Sequence, residues 1–135
     1  MQIQALRPKG LAAPSSDYSH ALRVACNQFL VISGQVPLDA GGSLVGKGDF
    51  EAQVRQVYDN LQLVLHEAQA DFSNVVQFTT YLTHYGNVRK YARLRHDLFQ
   101  QFFAEGLYPA HTLLVVTSLG YPQYLIEVEA LAALQ

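Results

Sequence analysis

The stretch VVQFTTYLT, Val75 to Thr83, is dense in β-branched and aromatic residues and reads as a central β-strand. Its neighbours on both sides carry helical periodicity. Upstream, Phe50, Val54, Val57, Tyr58, Leu61, Val64, Leu65 and Ala68 fall at the i, i+3, i+4, i+7 spacing of one apolar face. Gln53, Arg55, Gln56, Asp59, Asn60, Gln62 and Glu67 lie opposite them. Asp49 is placed to cap that helix, and Glu51 in the first turn suits the positive end of its dipole. Downstream, Asn87 offers a second cap. Val88, Tyr91, Leu94, Leu98, Phe102 and Phe103 form the next stripe, closed by Gly106 and Pro109.

Further out lie more strands. Ala21 to Ala25 and Phe29 to Ser33 flank Asn27-Gln28 and read as a hairpin, followed by a Gly-rich loop from Gly34 to Asp49. Thr112 to Thr117 and Gln123 to Ala130 read as the last two strands. In the latter, alternation sets Glu127 and Glu129 on the opposite face from Ile126, Val128 and Ala130. The order strand, strand, helix, strand, helix, strand, strand predicts one α+β domain over residues 1–135. It has two layers, with two helices on one face of a mixed sheet. The other face, with Gln77, Thr79, Tyr81, Leu114 and Val116, is mixed in character, so association between copies of the chain is expected to cover it.

Composition narrows the function classes. The chain has 135 residues, of which 50% are hydrophobic and 15% charged, with a formal net charge of −2. That is a globular chain without the basic stripe of a nucleic-acid binder. Arg89, Lys90, Arg93 and Arg95 form a short basic run, which reads as a solvated helix face. No apolar run approaches the ~20 residues of a membrane span and no signal-peptide layout opens the chain, so a cytoplasmic protein is expected. Cys26 is alone, and the five histidines show no metal-binding spacing. The segment GGSLVGKGD lacks the spacing of a phosphate loop. By spacing alone, no metal site is expected.

Several segments in order then carry a resemblance: FLVISGQVPLD (Phe29 to Asp39), EAQVRQVYDNLQLVLHEA (Glu51 to Ala68), VVQFTTYLT, PAHT and IEVEALA (Ile126 to Ala132). Together they resemble the RidA/YjgF reactive-intermediate deaminase family, also described as endoribonuclease L-PSP-like, over Tyr18 to Ala132. The resemblance implies a chorismate-mutase-like α+β fold and a homotrimer with small-molecule sites in the clefts between subunits. It implies cofactor-free hydrolysis of enamines and imines, such as 2-aminoacrylate, to 2-keto acids and ammonia. By the same resemblance Tyr18 and Ser33, with Gly34 beside it, match the family's site, and Glu127 matches the glutamate that holds the attacking water. His111 in PAHT stands where the family's PARS carries the arginine that grips the substrate carboxylate. Leu113 replaces the usual cysteine two positions on, and one extra residue lies in TSLGYPQY.

The exchange at His111 changes the chemistry. A guanidinium is always charged and grips a carboxylate with two parallel hydrogen bonds, whereas an imidazole is mostly neutral at pH 7 and donates one. Losing the clamp costs about 2–5 kcal/mol of carboxylate binding. A substrate other than the 2-aminoacrylate type is therefore expected, or else a non-catalytic small-molecule binder that keeps the cleft. On this reading His111→Arg restores activity, and a protonated His111 strengthens anion binding as pH falls. The plainer alternatives are structural. His111 fills the strand entry, Ser33 belongs to turn chemistry, Tyr18 packs, and Glu127 and Glu129 are solvated strand residues.

Overall fold

The computed structural model describes residues 1–135. Its elements are β1 (Gln2–Leu6), β2 (Ala21–Ala25), β3 (Gln28–Gln35), α1 (Phe50–Glu67), β4 (Val75–Leu82), α2 (Val88–Phe102), β5 (Ala110–Val115) and β6 (Ile126–Leu134). Short 3-10 turns precede β4 and α2. The main sheet runs β3-β6-β4-β5, with β4 and β5 parallel and the other pairs antiparallel. Helix α2 is the crossover that a parallel pair requires. The fold is α+β, two helices on a mixed sheet, as expected.

Helix α1 forms for the reasons its sequence states. The Asp49 carboxylate accepts the Ala52 N–H at 3.1 Å, and Glu51 pairs with Arg55 one turn on at 2.9 Å. Its apolar stripe joins one continuous core with Tyr91 and Phe99 of α2 and with Phe78, Leu82, Ile126 and Val128 of the sheet. Each large side chain so buried contributes about 1.5–3 kcal/mol. Phe72 and Phe102 stack at 3.8 Å, closing the far end of this layer. Asn87 sits at the start of α2, but its side chain makes no capping bond.

Two expectations are corrected. The Asn27-Gln28 hairpin does not exist. Strand β2 pairs with β1, which was not expected as a strand, and β3 pairs with β6. A two-residue type I′ turn needs positive φ at both central residues, and Gln69 is the only non-glycine residue with positive φ. Instead the Asn27 N–H donates to Leu134 O at 3.1 Å, so this corner steps the chain from the small sheet into the large one.

The second correction is Gln53, placed above on the polar face of α1. It is fully buried. Its Nε2 donates to Gly46 O and Gln123 O, both at 3.0 Å, and its Oε1 accepts the Leu125 N–H at 2.8 Å. All of the amide's bonds go to backbone, so one side chain fixes the Gly-rich loop and the entry to β6 together. That entry sets the height of Glu127.

Candidate functional site

Glu127 alternates with the fully buried Ile126 and Val128, so it projects from the face of the sheet away from the helices. Strand β3 approaches it with a register shift. Ile32 pairs with Ala130 and Gln35 with Val128, so Ser33 and Gly34 form a bulge beside Glu127. A Cβ on Gly34 would lie 2.7 Å from Glu127 Cδ and 2.8 Å from its Cγ. The close approach here is to the end of the Glu127 side chain, and the glycine's backbone is not left-handed. Ser33 is exposed on the same bulge. Across β6, Glu129 accepts the Tyr81 hydroxyl at 3.1 Å, while Tyr81 pairs with Glu127 in register. Burial, and secondarily the Glu129 charge, hold the Glu127 carboxyl above its usual range. Ser33, Gly34 and Glu127 thus meet.

His111 lies elsewhere. It is in register with Phe78 on β4, and its Nε2 is 2.9 Å from Thr80 Oγ1. Thr80 is buried toward the helices, whereas the adjacent Tyr81 faces Glu129, so His111 and Glu127 occupy opposite faces of one sheet. Tyr18 belongs with His111. Ser19 bridges to Ala110, its N–H donates to Pro109 O at 3.0 Å, and its hydroxyl donates to Tyr108 O at 2.7 Å. The Ser16–Ser19 segment is thereby laid along the entry to β5. Within one chain the residues expected at the site fall into two groups, one on each face of the sheet.

The second group contains residues that were not anticipated. Arg95, expected in a solvated basic run, is 5% exposed. Its Nη1 donates to His111 Nδ1 at 2.7 Å and its Nη2 donates to Ser16 Oγ at 2.5 Å. Only the guanidinium can donate, so Nδ1 is the acceptor and the proton of the neutral ring sits on Nε2, donating to Thr80. A row of hydroxyls continues inward, Thr80 to Tyr91 at 2.9 Å and Tyr91 to Tyr58 at 2.7 Å. Burial pushes both phenols up, so they stay neutral. The clue in the sequence was spacing: Arg95 stands four residues from Tyr91 and four from Phe99, on the buried stripe of α2.

This geometry corrects the view of His111 as a titrating charge reader. Burial, reinforced by the Arg95 guanidinium, holds its pKa down to about 3. The ring is neutral at pH 7 and well below it. The consequence for stability has a definite sign. His111 in the unfolded chain gains a proton below its model value of 6.5, which the folded ring refuses. Stability is therefore retained above that pH and lost as pH falls through the window down to about 3. Between pH 7 and pH 5 the loss from this residue is about 2 kcal/mol. Urea midpoints at the two pH values should differ more in the wild type than in His111→Gln, which keeps an acceptor and a donor but does not titrate. Equal differences in the two proteins would contradict the neutral, buried ring.

Comparison with known proteins agrees with this architecture. The family model described as Endoribonuclease L-PSP matches residues 10–134. A RutC family protein of Pyrococcus abyssi is 32% identical over 119 residues, covering 88% of this chain and 87% of that protein. A RutC family protein of Synechocystis is 31% identical over 135 residues, covering 99% and 98%. The crystal structure of YyfB, a conserved Rid family protein of unknown function from Yersinia pestis, superposes with a TM-score of 0.84 at 33% identity. It covers 99% of this chain and all of its own. With nearly its whole length matched by model, relatives and structure, the chain belongs to the RidA/YjgF, or endoribonuclease L-PSP, family.

Proposed function

We propose that the chain hydrolyses a small imine or enamine, as a homotrimer whose clefts join the Glu127 half-site of one copy to the Arg95–His111 half-site of the next. One observation carries the reading: a half-buried carboxyl with a raised pKa, beside a glycine whose missing Cβ makes room for it. Such a group is poised as a general base. Glu127 takes a proton from water as the oxygen bonds to the imine carbon and the C=N π pair moves to nitrogen. The nitrogen takes up a proton from solvent to give a neutral carbinolamine. Protonated Glu127 then hands its proton to that nitrogen, the C–N bond breaks with its electron pair leaving on ammonia, and the hydroxyl loses its proton to leave the carbonyl. An enamine first takes a proton on carbon to enter as the imine. Nothing in this sequence of steps requires a metal or cofactor. Ser33 and the bulged backbone supply hydrogen bonds on the same side.

The assembly follows from the outer face of the sheet. Val31 is 80% exposed, Phe29 55% and Leu114 39%, an apolar surface that a second copy would bury. Light scattering should give three times the 15.0 kDa chain mass, and a monomer at micromolar concentration would remove the composite cleft. A second reading, a ligand-binding protein without turnover, is favoured by the replacement of the family's site arginine with His111. Ammonia release measured over a panel of imines, with and without a carboxylate, separates the two. Turnover of any member supports the hydrolase, and none across the panel leaves the binder.

Gly34→Ala offers an internal check. The backbone there is ordinary, and the three heavy atoms nearest the new methyl all belong to the Glu127 side chain. Stability should change by less than about 1 kcal/mol, while displacement of the carboxylate should lower turnover by about 10²-fold. Unchanged kcat in a folded Gly34→Ala protein would detach Glu127 from the chemistry.

A further inference from the structure

Gln53, Gln56 and Asn60 stand at i, i+3 and i+7 on α1, a stripe of amides along one face of the helix. Asn60 Nδ2 donates to Val36 O at 3.0 Å and to Leu38 O at 2.9 Å. Gln56 Nε2 donates to Leu38 O at 3.2 Å and to Asn60 Oδ1 at 2.9 Å, which keeps the Asn60 N–H groups turned toward the carbonyls. Gln53 adds its bonds to Gly46 O, Gln123 O and the Leu125 N–H. Every side-chain N–H of the three amides is thereby spent, and all but the Gln56–Asn60 bond end on backbone.

The backbone so held lies on both sides of the Glu127 contact. Val36 comes two residues after Gly34, and Leu125 two residues before Glu127. Between these anchors the Gly34 backbone comes so near the Glu127 side chain that a Cβ would lie 2.7 Å from Cδ. That approach leaves little slack, and the carboxylate has no tether of its own. Of the two carboxylates on this face only Glu129 is hydrogen-bonded, by the Tyr81 hydroxyl. The place of Glu127 is therefore set by where the two strands are held. The β3-β6 ladder breaks register between Ile32 and Gln35, at the bulge itself. Past the break only the Gln35–Val128 pair remains, and from there the α1 amides hold the chain.

We propose that Gln53 and Asn60 are positioning residues for Glu127. They act from α1, through the backbone of residues 36–38 and 123–125, to seat the carboxylate against the bulge of Ser33 and Gly34, and Gln56 orients Asn60. The inference rests on the reading above for the task of Glu127 and adds what holds that side chain in place. It makes the amide stripe part of the site, although α1 packs on the opposite face of the sheet from Glu127.

Carbon-13 NMR titration of the Glu127 side-chain carboxyl in the intact protein, assigned by its loss in Glu127→Gln, tests this without turnover. The seated carboxyl titrates above the ordinary carboxylate range, and one released into water should titrate lower. The titratable groups facing it are Glu129 on its own strand and Tyr81 on β4, and the substitutions leave both in place. Asn60→Ala and Gln53→Met should each lower the midpoint by about half a pH unit or more, and Gln56→Ala by less, since Asn60 still reaches Leu38 O. Any imine the wild type accepts should be turned over at least ~10-fold more slowly by Asn60→Ala, in kcat rather than KM. Phe72→Leu, which loosens the core at its far end, is the comparison: it should lower the urea midpoint and leave the Glu127 titration in place. Should Gln53→Met fail to fold, Asn60→Ala at its half-buried position decides the matter. A Glu127 titration unchanged in either folded amide variant, or moved as far by Phe72→Leu, overturns the proposal. A lowered titration in a protein that turns over no imine keeps the positioning role and sinks the hydrolase. Turnover with an unmoved titration keeps the hydrolase and removes the positioning role.

Discussion

His111→Arg is expected to destabilise the fold by about 3–5 kcal/mol and not to restore activity. The residue resemblance alone pointed the other way, since an arginine at this position would complete the family's motif. The geometry removes that option. Arg95 already places a guanidinium 2.7 Å from the His111 ring, and the carboxylate of the Ser16–Ser19 segment, Asp17, is engaged by His96 at 2.6 Å. The new side chain would also lose the bond to Thr80 that ends the buried hydroxyl row, leaving a polar group inside the core. Urea denaturation at pH 7 measures the effect directly. His111→Gln, which accepts from Arg95 and donates to Thr80, should stay within about 1 kcal/mol of wild type. A His111→Arg protein that matches the wild-type midpoint and gains turnover would contradict this account of the buried ring.

The second large effect concerns Glu127→Gln. Removing the base should lower turnover of any imine the protein accepts by about 10²–10⁴-fold, with ligand affinity much less affected. The same substitution should stabilise the protein at neutral pH. Burial and Glu129 raise the folded pKa of this carboxyl, so its ionised form is disfavoured by folding. That penalty is present above the folded pKa and vanishes as pH falls below the unfolded one, where both states are protonated. Thermal midpoints of the two proteins should therefore separate at pH 7 and converge in acid. Activity lost together with stability at pH 7 would instead mark Glu127 as a structural residue.

Long, strongly patterned elements were legible. Helix α1, its Asp49 cap and the central strand β4 follow from periodicity, because the same apolar positions that define the pattern make the core. Strand β1 was not: five residues of weak alternation at the border of a two-stranded sheet carry little signal before their partner is known. The hairpin failed for a related reason, since adjacency in sequence says nothing of which sheet a strand joins. On the site, the Glu127–Gly34 contact was reachable only through the family resemblance, as a bulge leaves no mark in the pattern. Arg95 and Gln53 were misplaced by the same rule, that polar residues face water. Both are exceptions with buried partners, and both sit at the candidate site or at its supports.

The place of β6 in the sheet has a consequence for biogenesis. It lies between β3 and β4, and its partners Gln28–Gln35 were made about a hundred residues earlier, an interval spanning both helices. Until the ribosome has released Ile126–Leu134, β3 has no neighbour in the large sheet and β4 has only one. The growing chain must hold the apolar stripes of α1 and α2 over an incomplete floor. Loops of that length close slowly and leave hydrophobic surface open to aggregation meanwhile. The large sheet should thus close in a single late step, once Ile126–Leu134 has emerged to take its place between β3 and β4.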